Sequence, residues 1–593
     1  MPPRSHFSVL FTIALGAAVV VGCVSDPIAP AKPIGGTGTG GGAPSGGTGA
    51  GNVAGQVAGG AGAVPGGSAS TGGATVASTS PLLPARIRRL TNAEYDASVK
   101  ALLGTSMTFA DSFPPDARQG IFSRGGYTLN DAQRVDPVLA TQLSDAAVAL
   151  VSEARQMGRL TNMAPCANST SGGEACANTF IQSFGSKAYR RSLTPDEVTA
   201  LVGVYRIGVS SATYNDGIDL VVRAILQSAG FLYVTEIGGG TPGSDGNITL
   251  TPDESSSALS YILTSGPPDD ALLAVSKAGG MADPNLREQQ ARRLLAQQSG
   301  QDVMVRMIRE MFSLDQMAVT DKDATAYPKF SGIKNSIVAE STDFVKAVLV
   351  NSTGTIEELL GADWTVADSS LSALYGGTPG TGGHTSLTAA GRRGVMNQAA
   401  FLSVFAHASE SGPVLRGVAI MRQIACMPLR SPTELNIDVT PPAFDATKTT
   451  RQRFTAHATD ALCASCHASI DSFGFAFEDY DGMGNARPVV AGHPTENGLM
   501  VDTSAVISGT DFDGTYADSN ALALAMSKSA QVRTCLARQL FRSSTGRSDD
   551  SVKGSEDAFV QFWKQSSAAQ QGSVLETLVA YVKNPTFIQR RPQ

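Results

Sequence analysis

Three segments of the chain begin in the same way. Leu90-Thr91-Asn92-Ala93-Glu94, Leu193-Thr194-Pro195-Asp196-Glu197 and Leu250-Thr251-Pro252-Asp253-Glu254 each place a threonine three residues before a glutamate. At a helix start these two side chains satisfy each other's orphan backbone donors, and the preceding leucine can staple back onto the first turn. Proline at the first helical position of the second and third copies strengthens the reading, because its missing N–H is one that a helix start does not use. Apolar residues then recur at helical spacing in Tyr95-Val99-Leu102-Leu103, Val198-Leu201-Val202-Val204-Tyr205, Ile218-Val221-Val222-Ile225 and Val338-Phe344-Val345-Val348. Strand-like alternation is scarce. The expected fold class is mainly α, made of several helical subdomains, and 593 residues leave room for about four domains.

Composition separates this helical body from what precedes it. Residues 33–85 carry no charge, and 18 of the 39 residues from Gly35 to Gly73 are glycine. Such a chain is a flexible linker with a reach of about 40 Å, and it lacks the strict period of a structural repeat. It is one contributor to a charged fraction of only 16% of the whole, against roughly 25% in ordinary globular domains. The net charge of −7, with no basic block to track phosphates, argues against nucleic acid as a partner.

Ahead of the linker, Met1 to Phe7 carries Arg4 and is followed by the apolar run Ser8 to Val21. The run is too short for a lasting transmembrane span and reads as an export signal. It ends in Val20-Val21-Gly22-Cys23, which resembles the bacterial lipobox. That resemblance implies removal of residues 1–22 and a diacylated Cys23 that tethers the protein to a lipid bilayer. The expected location is the bacterial cell envelope, lipid-anchored and facing the periplasm or the cell exterior.

The sharpest chemical signal is Cys463-Ala464-Ser465-Cys466-His467. Two cysteines three apart at a helix start point the same way and can each form a thioether with a haem vinyl group. The next residue, His467, is then held under the iron as its proximal ligand. From composition alone the pattern arises about once in a thousand such chains. A redox dithiol would want a βαβ context, and zinc would want two more ligands nearby; neither is found. The cofactor expected is one covalent haem c. With Cys23 lipidated and Cys463 and Cys466 on haem, four of the seven cysteines remain. In an exported protein they should pair, Cys166 with Cys176 across a short polar loop and Cys426 with Cys535 around the haem segment.

Other stretches carry a wider resemblance. These are Arg89-Leu90-Thr91-Asn92-Ala93-Glu94-Tyr95, Ala188-Tyr189-Arg190-Arg191-Ser192-Leu193-Thr194, Phe231-Leu232-Tyr233-Val234-Thr235-Glu236, and Leu259-Ser260-Tyr261-Ile262-Leu263 with Pro268-Asp269-Asp270. Further on come Gly391-Arg392-Arg393-Gly394-Val395, Ser411-Gly412-Pro413-Val414-Leu415-Arg416-Gly417, the haem motif with Ile470-Asp471, Gly474-Phe475 and Glu478-Asp479-Tyr480-Asp481, and Thr545-Gly546-Arg547. Together they resemble a bacterial family, of planctomycete and myxobacterial type, of multidomain proteins of unknown function with a C-terminal cytochrome-c-like haem-binding segment. The resemblance implies helical subdomains, a haem c segment and no established reaction. Two departures, Ser472 in place of a proline and Ala229-Gly230 before Phe231, concern loop geometry. The expected segments are residues 1–22 (signal peptide), 23–85 (lipidated cysteine and linker), 86–160 and 161–237 (helical subdomains), 238–380 (central helical domain), 381–495 (haem segment) and 496–593 (C-terminal helical subdomain).

The sixth iron ligand decides what such a haem can do. Met483 lies 16 residues after His467, enough chain to pass the haem edge, and a thioether would raise the potential. His457 qualifies if the chain breaks near Thr459-Asp460, and His407 is a third candidate; an open or water-occupied position is the fourth. Arg487 is a candidate partner for a haem propionate. Asp479-Tyr480-Asp481-Gly482 lacks EF-hand spacing and reads as a turn, and no Gly-x-Ser-x-Gly or Gly-x-Gly-x-x-Gly motif supports a hydrolase or a dinucleotide enzyme. The function expected is electron transfer to a redox partner protein. The alternatives are a haem-dependent oxidoreductase acting on peroxide or an extracellular substrate, and a surface interaction protein whose haem is structural.

Overall fold

The computed structural model describes residues 80–592 except 122–123, 132, 166–172, 212, 381–382, 430–441, 458–460 and 548. The export signal, Cys23 and most of the linker lie outside the described residues. The described body is mainly helical, with short antiparallel sheets of two or three strands between helices. All three expected helix starts form: Thr91 and Glu94, Thr194 and Glu197, and Thr251 and Glu254 each exchange the reciprocal pair of hydrogen bonds. A fourth box, Thr213 with Asp216, does the same with the shorter acid.

Two apolar cores organise the helices. One gathers Leu90 to Val234, including the helices Pro137–Gln156, Gly173–Tyr189 and Tyr214–Leu226. The other runs from Leu83 through Phe344 and Phe401 to Phe477 and Phe587. The expected segments 238–380, 381–495 and 496–593 therefore share one core. Leu82 and Leu83, assigned to the linker by composition, are buried.

The N-terminal strand Arg86–Arg89 pairs with Tyr233–Glu236, and the C-terminal strand Gln589–Arg590 pairs with Ile248–Thr249. Between them Glu236 accepts from Arg86 and Arg590 at 2.9 Å, with Arg547 at 3.8 Å and Arg88 at 3.9 Å. Breaking one partner of such a buried cluster leaves uncompensated charge, which costs several kcal/mol, so both ends of the body are held to one site. Arg190 joins the first core in a related way, donating to the carbonyls of Gly230, Phe231 and Tyr233 and to the Tyr261 hydroxyl. Gly230 is needed there, since a Cβ would lie 2.6 Å from the Tyr189 ring.

Candidate functional site

Cys463, Cys466 and His467 sit near the start of the helix Ala461–Phe475. Its placement is set by glycines. The helix Pro413–Ala419 crosses it so closely that a Cβ on Gly474 would come 1.9 Å from the Pro413 carbonyl oxygen, and one on Gly417 would come 2.1 Å from that of Ile470. Both obstacles are backbone, so neither can yield by a side-chain rotation. Ser472, where the related pattern has proline, leaves the helix unbroken to Phe475 and returns its hydroxyl to the Ala468 carbonyl.

The turn that follows is held from beneath by two buried arginines. Arg416 donates to the carbonyls of Leu402, Phe477, Tyr480 and Asp481 and pairs with Glu478 at 3.5 Å, both side chains being fully buried. Arg392 donates to Asn397 and Gly484 and lies 4.3 Å from the centroids of both the Tyr375 and Tyr480 rings. Asp481 spends its carboxylate inside this turn, accepting from the N–H groups of Met483 and Asn485 and from the Asn485 amide, as a turn residue and not a calcium ligand.

Within this frame His467 is half-buried and its Nδ1 lies 2.8 Å from Asp471 Oδ1. The carboxylate is one helical turn away on the same face. The hydrogen bond that His467 donates to Asp471 raises the imidazole pKa against the opposing effect of burial. When Nδ1 holds a proton toward a carboxylate, Nε2 is left with its lone pair, the form in which imidazole ligates a metal. Cys466 is half-buried and packs against the edge of the large core. The side chains of Cys463 and His457 lie outside the described residues. The backbone does show separate helices, Thr450–His457 and Ala461–Phe475.

The other candidates are placed as follows. Met483 is 2% exposed and packs in the same core that Cys466 borders. His407 is half-buried, its carbonyl accepting from Lys322. Arg487 is largely covered, with 9% of its side chain exposed. It donates to the Glu478 carbonyl and meets the carboxylates of Glu478 at 3.1 Å and Glu496 at 3.3 Å. Cys426 and Cys535 are joined by a disulfide over a separation of 109 residues, and Cys176 is disulfide-bonded; Cys166 lies outside the described residues. Among the described residues no three His, Cys, Asp or Glu converge as a metal-binding group. Sequence reasoning missed Asp471 as a partner of His467, although its spacing of four was there to be read. It also missed that Arg392 and Arg416 brace the turn that carries Met483.

Four family models match the chain. Residues 392–489 match PSCyt3, a protein of unknown function (DUF1588). Residues 250–376 match PSD4 (DUF1592), residues 176–236 match PSD5 (DUF1595) and residues 88–156 match PSD3 (DUF1587), each likewise of unknown function. The PSCyt3 match spans Arg392, Arg416 and the whole Cys-x-x-Cys-His helix. No curated protein and no solved structure matches the chain.

Proposed function

We propose that this protein is a membrane-anchored, extracytoplasmic c-type cytochrome-like protein that transfers electrons through one haem held by Cys463, Cys466 and His467. The observation that carries the reading is the 2.8 Å contact of His467 Nδ1 with Asp471, which orients the ring. The donor set also fits: two cysteines and a histidine on one helix, with Cys466 against an apolar core as a hydrophobic macrocycle requires. A bound haem c would supply one-electron exchange at its iron. This chain's residues do the rest. Cys463 and Cys466 would hold it through thioethers, Nε2 of His467 would be its ligand, Asp471 would keep the proton on Nδ1, and the crossing at Gly417 and Gly474 fixes the helix. The cytochrome-like name of the PSCyt3 model that matches residues 392–489 points the same way, and Val20-Val21-Gly22-Cys23 supports envelope anchoring.

The same Asp471 contact favours a second reading. A carboxylate on Nδ1 makes the histidine a stronger donor, which suits a peroxide-reducing oxidoreductase with an accessible sixth position. Visible spectra of periplasmically matured protein, with and without carbon monoxide, separate the two. A carrier is low-spin and unchanged by carbon monoxide; stoichiometric carbon monoxide binding together with peroxide turnover overturns the carrier reading in favour of the enzyme.

A further inference from the structure

A cavity of about 640 Å³ is lined by the hairpin 118–128, the helix Gln298–Met311, the stretch Arg422–Leu429 and the helices Ala530–Thr545 and Asp549–Trp563. No residue of the Cys-x-x-Cys-His motif lines it. Its size falls in the range of roughly 300–1,000 Å³ that holds small molecules. Five stretches build its walls, the last two consecutive helices and the others distant in sequence, and the chemistry of those walls is asymmetric.

One wall presents Glu310. This residue is 4% exposed, and among the described residues its carboxyl accepts from one hydroxyl, Thr128 Oγ1 at 3.4 Å. Burial pushes its pKa up against the opposing charges of Arg306 and Arg118, and its carboxyl oxygens can accept from ligand hydroxyls. Other walls present four cations. Two of them are neutralised: Arg538 pairs with Glu556 and Asp557, and Arg542 with Glu556. The other two are not. Arg422 donates to the Leu429 carbonyl, and among the described residues neither it nor exposed Lys553 meets a carboxylate. Gln539 gives its amide N–H groups to the carbonyls of Arg422 and Gln423, which turns its amide oxygen into an available acceptor.

The geometry points to a binding site for a small hydroxylated carboxylate of sugar-acid type, its carboxylate on Arg422 and Lys553 and its hydroxyls on Glu310 and the Gln539 amide oxygen. A neutral sugar would leave the two cations uncompensated. A bare inorganic anion would use neither Glu310 nor the amide oxygen, and Met307, Met311 and Pro428 give an apolar surface for a carbon skeleton. This site is independent of the haem reading.

Calorimetric titration of the full chain with glucuronate and digalacturonate, beside glucose and inorganic phosphate, tests it. Saturable binding of at least one acid is expected, weakened at least tenfold by R422Q/K553Q and similarly by the isosteric E310Q, with the thermal unfolding midpoints of these variants unchanged. Three results overturn the proposal: no saturable binding of either acid up to roughly 10 mM, equal binding of glucose or phosphate, or acid binding that ignores all three substitutions.

Discussion

Replacing Cys426 and Cys535 together by alanine removes a closure whose cost is set by its length. The bridged residues are 109 apart, and the chain-entropy relation converts a loop of that size into about 4–5 kcal/mol at 25 °C. Little else should change. Cys535 is fully buried against the large core, and alanine keeps its helix, so the packing loss is small beside the loop term. The closed loop contains the whole Cys-x-x-Cys-His helix and its bracing turn, so the stabilisation falls on the proposed site. Urea unfolding followed by far-ultraviolet circular dichroism reads the effect. With an m-value of about 3–4 kcal/mol/M for a body of this size, the midpoint should fall by about 1–1.7 M. Expansion of the unfolded chain raises m as it lowers stability; a midpoint that moves by less than roughly 0.3 M with m unchanged would show that the unfolded chain is not expanded by opening the loop, and the reasoning would be refuted.

Gly474→Ala should destabilise the body by about 3 kcal/mol or more, because the new Cβ meets the Pro413 carbonyl and only a backbone shift relieves it; an unfolding midpoint like the parent's would contradict the close crossing. Asp471→Asn exchanges a charge-assisted hydrogen bond on His467 for a neutral one, a difference of about 1 kcal/mol, so the reduction potential of the haem-loaded protein should rise by up to about 50 mV, read by spectroelectrochemistry; a fall, or no change, refutes the role of Asp471. Glu340 is buried beneath Tyr375 and Thr365 hydroxyls, and burial pushes its carboxyl from the ordinary range up to about 7. The folded state then holds a proton that the unfolded state releases, so stability should fall as pH rises from about 4.5 to about 7. Glu340→Gln should flatten that slope in chemical unfolding series across this range, and an unchanged slope removes Glu340 as its source.

Local signals were legible in the sequence where a residue's partner lies within a few positions. The threonine–glutamate pairs at 91 and 94, 194 and 197, and 251 and 254 form as read, because capping is decided within one turn. Thr213 and Asp216 escaped because aspartate is the less usual third-position acid, and Asp471 because its spacing from His467 was read as pattern and not as contact. The pairing of Cys426 with Cys535 came from counting. What stayed hidden depends on distant partners. Arg86-Ile87-Arg88-Arg89 looks like a solvated basic strand until Glu94 and Glu236 arrive to bury it. Arg416 and Arg392 declare their purpose only when the carbonyls of residues 477–484 close over them, and Arg487 turns inward because Glu478 and Glu496 converge on it. No pattern announces the cavity beside Glu310, whose walls come from the hairpin, the 298–311 helix, the 422–429 stretch and the helices of 530–563.

The central claim rests on Cys463, Cys466 and His467, and covalent attachment tests it most directly. Protein matured in a host that installs haem c, then denatured and extracted with acidified organic solvent, should keep one haem per chain in the protein fraction, with a pyridine haemochrome band typical of two thioethers. The variant in which Cys463 and Cys466 are both alanine should release it. Haem retained covalently by that variant, or a parent chain that carries none after maturation, would contradict the account.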